Sequence, residues 1–107
     1  MIKYDKYTVD FTNVKYYLEM HEVIKESLDF PDYYGGNWSA FWDCLYDLRG
    51  DPIHIEIIGL DVIERNFGNA AQMIVQTLKE FKHFNDDYFA DIIKIEIVSG
   101  EHRVELQ

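Results

Sequence analysis

Three short segments of the chain alternate apolar with polar residues, and segments long enough to form helices separate them. The clearest is IHIEII at residues 53–58, and residues 7–11 and 93–97 show the same period. A period of two is typical of a half-buried β-strand. Parallel strands need a long crossover connection, usually a helix, because a tight turn can join only antiparallel strands. The sequence therefore predicts an α/β fold with a three-stranded parallel sheet.

The same alternation predicts which face of the sheet the helices cover. Polar side chains share one face of the predicted strands: Thr8, Asp10, His54, Glu56, Lys94 and Glu96. A sheet covered on both faces would carry continuous apolar runs, so we expect two layers, with the helices mainly on the opposite face and His54 solvated. Right-handed crossovers keep the helices on one side only if successive strands step in one direction, which predicts the order 1-2-3. A turn at residues 99–101 is consistent with an additional antiparallel edge strand that contains Val104 and Leu106.

The spacing of apolar residues predicts helices over residues 13–28, 37–48 and 69–84, while residues 59–68 are irregular or form a short helix. In the first helix the predicted buried stripe is Val14, Tyr17, Leu18, Ile24 and Leu28. In the last helix the residues predicted to face inward are Met73, Ile74, Thr77, Leu78 and Phe81, and those predicted to face mostly outward are Gln72, Gln76, Lys79 and Lys82.

Length and charge limit the functions that such a chain can have. A chain of 107 residues fits one domain, so we expect residues 1–107 to form a single domain. Its 20 acidic and 10 basic residues give a formal net charge of −10. That charge repels nucleic acid, so direct binding of DNA or RNA is not expected, and it favours encounter with a basic protein. Taken alone, the charge is explained better by solubility than by a partner.

Cysteine use and hydropathy bear on the compartment. Cys44 is the only cysteine, so no intramolecular disulfide can form, and MIKYDKYTVD at the start lacks the apolar region of a signal peptide. No apolar run approaches the ~20 residues that a membrane span needs. We therefore expect a cytoplasmic protein without membrane contact.

The segment DYYGGNWSAFWDCLYDL at residues 32–48 combines aromatic rings with carboxylates, and Asn37 is placed to cap its helix. On a helical wheel the core side comprises Trp38, Phe41, Leu45 and Leu48, the outward ridge comprises Ser39, Asp43 and Asp47, and Trp42 lies at the border. One interpretation is an ordinary surface helix with solvated aspartates. The other is a docking face for a cationic partner, because Tyr33, Tyr34 and two glycines precede the helix and aromatic residues dominate protein interfaces.

Chemical motifs give little support to an enzyme or a cofactor site. The glycine pair is not followed by a lysine at the spacing of a phosphate-binding loop. The four histidines are scattered and one cysteine does not complete a zinc site with them, so no metal or cofactor is expected. Asp43 or Cys44 could act in a small enzyme, but no supporting acid or base lies nearby in the sequence, and this hypothesis is the weakest. We expect Cys44 to be a semi-buried apolar residue.

Residues 30–45, FPDYYGGNWSAFWDCL, closely resemble the barstar family of intracellular inhibitors of the ribonuclease barnase. The resemblance rests on Pro-acid-Tyr-Tyr-Gly-x-Asn followed by Trp-Asp-Cys-Leu, and it is fainter elsewhere although the order of elements agrees. It implies a two-layer α/β domain with three parallel strands. It also implies an immunity protein of the toxin–antitoxin kind that is a monomer when free and blocks a secreted, basic ribonuclease.

The resemblance also implies which residues bind that partner. Asp43 would occupy the site of an RNA phosphate, and the neighbouring contact positions would be Tyr33, Gly35, Asn37, Trp42 and, on the helix before the last strand, Glu80. The chain departs from the family pattern at Ser39 and Gly36, where the family carries acidic residues. Asp32 or Asp47 would compensate for that lost charge with a differently shaped partner. The resemblance leaves open whether the partner is barnase itself, a related ribonuclease toxin or, as the alternative, a basic protein that is not a ribonuclease.

Overall fold

A computed structural model describes residues 3–48, 51–84 and 91–107, in which strands and helices follow one another in the predicted order. The strands are β1 (Asp5–Asp10), β2 (Ile53–Ile58), β3 (Ile93–Ser99) and β4 (His102–Glu105). The helices are α1 (Tyr17–Ser27), α2 (Trp38–Tyr46), α3 (Leu60–Asn66) and α4 (Ala70–His83). Residues 59–68 thus contain the short helix α3, one of the two alternatives that the sequence left open.

The sheet has the order β1-β2-β3-β4 in the described part of the chain. β1 pairs with β2, and β2 with β3, in parallel, while β4 pairs with β3 in antiparallel orientation. The parallel order 1-2-3 and the additional edge strand are therefore confirmed. The register places Glu56 between Thr8 and Glu96, so the polar residues of the three parallel strands lie on one face, as their alternation predicted.

The core lies between the other face of the sheet and the helices. Its strand residues include Val9, Ile55, Ile57 and Ile95, and its helix residues include Met20, Ile24, Phe41, Leu45, Ile74, Leu78 and Phe81. Burial of these apolar side chains is the main force that holds the helices on the sheet. The site described below depends on α2 and α4, which this core fixes side by side.

The predicted buried stripe of α1 was wrong at two positions. The helix begins at Tyr17 rather than at residue 13, and Met20 and Ile24, four residues apart, face the core. Leu18 lies about half a turn from Met20 around this helix, so its side chain points to solvent and is 70% exposed. Tyr17 is also exposed, whereas His21, which the sequence did not place in the core, is buried.

The prediction that Lys82 faces outward was also wrong. Only 6% of Lys82 is exposed, because the chain that follows β4 packs across it. Its Nζ donates a hydrogen bond to the carbonyl oxygen of Leu106 at 3.2 Å, and Leu106 itself is buried. A helical wheel cannot reveal this contact, since it comes from a segment 24 residues away.

An ion-pair network covers the polar face of the sheet, so the expectation of a solvated His54 was wrong. His54 Nε2 lies 2.6 Å from Glu96 Oε1. Arg103, on β4, donates a hydrogen bond to the buried carboxylate of Glu56 and lies 3.7 Å from Glu96. The hydrogen bond from Arg103 lowers the pKa of Glu56, despite its burial. Charge therefore holds β4 to β2 and β3, in addition to its backbone pairing with β3.

Among the helices of the described ranges, none combines the length and the apolar character that crossing a membrane requires.

Candidate functional site

A groove between α2 and α4 contains several of the residues that the sequence singled out. Its volume is about 360 Å³, and it is lined by Trp38, Ser39, Trp42, Asp43, Met73, Thr77 and Glu80. Four of the predicted partner-binding residues, Ser39, Trp42, Asp43 and Glu80, thus meet in one place. The groove combines two carboxylates, a hydroxyl group and two indole rings, which is chemistry suited to a cationic side chain.

Two features of its sequence hold α2 in place, an N-cap at its start and a buried apolar face. Asn37 Oδ1 accepts a hydrogen bond from the backbone N–H of Ala40 at 2.8 Å, as the predicted N-cap should. Phe41, Cys44 and Leu45 are buried beneath the helix. Because Asp43 precedes two of these anchored residues, its Cα position is set by the core rather than by a loop.

The Asp43 carboxylate faces solvent, and no cation of the described residues pairs with it. Its residue is exposed, and among the described residues no side chain forms a hydrogen bond or an ion pair with it. Residues 31–48 contain three aspartates and no lysine or arginine. Asp32 is 3.4 Å from Lys25, but this partner belongs to α1. The outward side of α2 therefore presents negative charge that is not neutralised within the described structure.

α4 supplies the opposite wall of the groove. Met73, Thr77 and Glu80 are spaced four and three residues apart, so they lie on one side of this helix. Glu80 is exposed and accepts a hydrogen bond from Gln76 Nε2 at 3.4 Å. The sequence assigned Met73, Thr77 and Trp38 to the core, and their part in the groove was missed because it depends on how α2 packs on α4. Their spacing was the available signal.

The other predicted contact residues lie outside the groove lining. Tyr33, Gly35 and Asn37 are exposed in the loop that leads into α2, and Tyr33 has 76% of its surface accessible. Asp47 is exposed at the C-cap of α2, one residue beyond the helix, rather than within it. These residues flank the groove along the chain.

A buried aromatic cluster supports this loop from α1, and no local pattern in the sequence predicts it. His21 Nδ1 and the Tyr34 hydroxyl are 2.7 Å apart, and the His21 ring lies 4.9 Å from that of Trp38. Burial raises the pKa of Tyr34 and lowers the pKa of His21, so both side chains are neutral near neutral pH. The cluster fixes the second tyrosine of the loop inward, while Tyr33 points outward.

A second aromatic cluster fixes Trp42 on the other side of α2. The rings of Trp42 and Phe84 meet edge to face at 5.1 Å, and Tyr46 lies 5.5 Å from Phe84. Edge-to-face contacts of this kind favour a definite orientation of the rings. The indole of Trp42 is therefore held in position beside Asp43.

The thiol of Cys44 does not contribute to the exposed chemistry of the site. The residue is buried, as expected, and burial raises the pKa of its thiol, with smaller contributions from Asp47 and Asp43. A thiol in this state is a poor nucleophile at neutral pH. Over the described ranges, no three His, Cys, Asp or Glu side chains converge as metal ligands would.

Comparison with known proteins identifies the family of the chain. A family model described as Barstar (barnase inhibitor) matches residues 4–95. The chain belongs to the barstar family. A Bacillus subtilis (strain 168) protein named "Putative ribonuclease inhibitor YrdF" is 32% identical over 85 residues, which cover 79% of this chain and 90% of that protein. Both findings support a role as a ribonuclease inhibitor rather than as an enzyme.

The barstar match covers the groove but not the last strand. α2, α4 and the loop before α2 lie within residues 4–95, and the match ends inside β3. β4 and its Arg103 contacts lie beyond the match. The match to the barstar family therefore includes every element that forms the candidate site.

Proposed function

We propose that this protein inhibits a basic ribonuclease by binding its active site and closing it to RNA, with the carboxylate of Asp43 in the place of an RNA phosphate. The single observation that carries this proposal is the exposed Asp43 side chain, which has no cationic partner in the described structure and stands on a helix anchored in the core. Membership of the barstar family supports a ribonuclease as the target.

The mimicry follows from what a ribonuclease active site must hold. It binds a polyanion, so it concentrates arginine, lysine or histidine side chains around the phosphate. A carboxylate accepts the same charge-assisted hydrogen bonds, and arginine can bind it with two parallel N–H donors. Since a carboxylate offers no phosphodiester bond to cleave, such a complex does not turn over.

The groove gives the partner a second anchoring position. A lysine or arginine that enters between α2 and α4 would lie against Trp42 and Met73 and reach the carboxylates of Asp43 and Glu80. Cationic heads are attracted to aromatic faces, and their long stems cover apolar surface. The groove thus accommodates both parts of such a side chain. This arrangement restricts the partner to one with exposed cationic side chains.

Flanking residues extend the contact beyond the groove. Tyr33, Gly35 and Asn37 would lie against the enzyme surface on one side of Asp43, and Asp47 would add a charge on the other. Ser39 offers a neutral hydroxyl group, so the negative charge of the site depends on Asp43, Glu80 and Asp47. Exposed tyrosine and tryptophan exclude water from the central ion pairs, an effect for which barnase and its inhibitor are themselves a standard example.

The charge distribution would also speed the encounter. The chain carries a net charge of −10, and residues 31–48 contribute aspartates without a basic residue. A basic enzyme is attracted over about one Debye length, ~8–10 Å at physiological salt. Such steering, well known for barnase complexes, raises the association rate more than the final affinity.

The cellular role that fits this activity is immunity. An inhibitor that captures a ribonuclease toxin before it cleaves the RNA of its own cell would act in the cytoplasm. We expect residues 1–107 to act as one domain, as a monomer before capture, without a metal or cofactor and without contact to nucleic acid or membrane.

An inhibition assay tests the proposal with barnase as the probe. The rate of cleavage of a fluorescent RNA is measured while the purified protein is titrated into barnase at several RNA concentrations. Active-site occlusion predicts full inhibition at one protein per enzyme, with a midpoint that rises as the RNA concentration rises. A complex that forms while cleavage continues unchanged would contradict the proposal.

The neutral Ser39 in the groove favours one further candidate, an acidic interaction module that binds a basic protein other than a ribonuclease. Hen egg-white lysozyme is a suitable probe, because it is basic and cleaves no RNA. Binding that is tight for barnase and weak for lysozyme supports ribonuclease inhibition. Equal binding to both, removed equally by salt, supports the alternative.

A further inference from the structure

The loop that precedes α2 has few contacts of its own to hold its shape. Residues 33–37 form this loop, the docking loop. Its first residue, Tyr33, is almost fully exposed, and Gly36 adopts a left-handed backbone with φ +67°. In the described structure its backbone and capping hydrogen bonds are local, and they include those from Tyr34 N to Pro31 O and from Ala40 N to Asn37 Oδ1. The Tyr34 ring also lies 5.4 Å from that of Phe30, and one contact from another helix adds to these local ones.

His21 supplies that external contact. Its Nδ1 forms a hydrogen bond of 2.7 Å with the Tyr34 hydroxyl, and this bond joins the docking loop to α1. The same imidazole packs against Trp38 in the first turn of α2, and its Cβ lies 3.8 Å from the place where a Cβ on Gly36 would be. One side chain of α1 thus contacts the middle of the loop and the start of the helix that follows.

The second ring nitrogen of His21 shows that this contact is maintained at a cost. His21 is 3% exposed, and its Nε2 has no hydrogen-bond partner among the described residues. An unsatisfied buried polar atom lowers stability, whereas an apolar side chain of similar size would fill the same space without that penalty. An imidazole here is therefore explained better by what Nδ1 does than by packing.

We propose that His21 is a positioning residue, which holds Tyr34 inward and thereby sets the docking loop so that Tyr33 faces the partner. Tyr33 directly precedes Tyr34 in a turn closed by the hydrogen bond from Tyr34 N to Pro31 O, so anchoring Tyr34 restricts the direction of Tyr33. The consequence for inhibition rests on the proposed function, but the effect on the loop does not. His21 itself is buried and does not touch the partner.

Three substitutions of His21 separate the hydrogen bond from packing. His21→Leu keeps an apolar volume and removes the bond. His21→Asn places a polar atom near the position of Nδ1, and His21→Gln places one near that of Nε2. Tyr34→Phe removes the same bond from the other side. Positioning through Nδ1 predicts that His21→Asn behaves like the wild type while His21→Leu, His21→Gln and Tyr34→Phe resemble one another.

Amide hydrogen exchange of the free protein measures loop order without any partner. The reporters are the amides of Tyr34 and Ala40, and the amide of Leu78 in α4 reports global unfolding. We expect His21→Leu and Tyr34→Phe to speed exchange at both reporters by about tenfold relative to Leu78, as local opening does. His21→Asn should leave the ratio near that of the wild type. A fall in protection that is equal at all three amides would overturn the proposal and leave His21 a purely structural residue.

Binding to barnase tests the consequence for the interface. Tyr33→Ala is combined with His21→Leu in a double-mutant cycle, and Glu80→Ala is combined with His21→Leu as the control. We expect Tyr33→Ala to weaken binding by about tenfold in the wild type and by less than about twofold beside His21→Leu. The effect of Glu80→Ala should be the same in both backgrounds. Equal losses for Tyr33→Ala in both backgrounds would overturn the positioning role in binding. A wild type that fails to bind barnase would contradict barnase as the target of the proposed function, while hydrogen exchange would still decide the role of His21.

Discussion

Asp43 on α2 and Glu80 on α4 line the same groove from two helices, and in the described structure neither carboxylate is paired with a cation. Two like charges that share a groove favour the entry of a cation, because it lowers their mutual repulsion as well as pairing with each. Gln76 donates a hydrogen bond to Glu80, whereas no side chain of the described residues forms one with Asp43. The two residues are thus prepared for a partner rather than satisfied within the fold.

Glu80→Gln is expected to weaken binding to barnase by about tenfold, since a hydrogen bond to a charged group contributes about 1.5–3 kcal/mol. Glu64→Gln is the matched control, because Glu64 lines a different groove, between α3 and α4, and the substitution removes the same charge. Dissociation constants from surface plasmon resonance provide the comparison. Losses of equal size for the two variants would mean that only net charge matters and that Glu80 has no special contact.

Asn37 has a structural task that must be separated from any contact with the partner. Asn37→Ala is expected to lower the free energy of unfolding by about 0.5–2 kcal/mol, because it removes the N-cap of α2. Asn37→Ser retains a capping oxygen and should keep most of that stability. Urea denaturation measures both variants.

The binding of the same two variants then separates cap from contact. If the side-chain amide of Asn37 also touches barnase, Asn37→Ser should bind more weakly than the wild type at unchanged stability. Wild-type affinity for Asn37→Ser would restrict the residue to its capping role.

The stability of the protein should fall as the pH is lowered through the ordinary range of histidine. Burial lowers the pKa of His21 in the folded state, so the unfolded chain binds more protons below the ordinary pKa of about 6.5. The stability that neutral His21 contributes is complete above that pH, and it decreases below that pH until the pH reaches the pKa of the folded state. Urea denaturation of wild type and His21→Leu between about pH 5 and pH 8 should show a smaller pH dependence in the variant. If the free energy of unfolding depended equally on pH in both proteins, the result would contradict the assignment to His21.

Arg103 should stabilise the protein most where Glu56 is ionised. The pKa of Glu56 is lowered in the folded state, chiefly by its hydrogen bond from Arg103, so the stabilisation is present above the ordinary carboxyl pKa and disappears as the pH falls through the lowered value. Arg103→Met is therefore expected to destabilise the protein at neutral pH, and the difference from wild type should shrink in acid. Thermal unfolding of the wild type and the variant, at neutral pH and in acid, measures this difference in stability.

Arg65→Met is the control for that experiment. Arg65 pairs with Asp61 one helical turn away, and both side chains are largely exposed. Exposed pairs of this kind contribute about 0.3–0.5 kcal/mol, so the variant should be nearly neutral. A loss for Arg65→Met as large as that for Arg103→Met would show that the network across the sheet has no special effect.

The sheet could be predicted from sequence because its signal is local. The period of two in IHIEII reports burial on one face directly, and handedness then determines the strand order. The burial of Lys82 and the pairing of Arg103 with Glu56 could not be predicted, since they depend on β4 and on the residues that follow it, a segment distant in sequence. The exposed Leu18 was misplaced because no strong capping residue marks where α1 begins.

The site was predictable to the extent that one helix defines it. A wheel of α2 separates the ridge with Asp43 from the buried Leu45, and the N-cap at Asn37 follows from residue type. The contribution of Met73 and Thr77 could not be read from α4 alone, because the packing of two helices decides which face borders the groove. The bond between His21 and Tyr34 likewise joins two segments that no local pattern connects.

The affinity of Asp43→Asn for barnase tests the central claim most directly, because asparagine keeps the shape of the exposed side chain and removes its charge. Glu105→Gln, on β4 outside the groove, removes the same charge and is the control. We predict that Asp43→Asn loses about 2–5 kcal/mol of binding free energy at unchanged stability, the range found when a buried charge pair is broken in protein complexes, barnase complexes among them, while Glu105→Gln changes little. Inhibition by Asp43→Asn as strong as that by the wild type would show that this carboxylate does not replace an RNA phosphate.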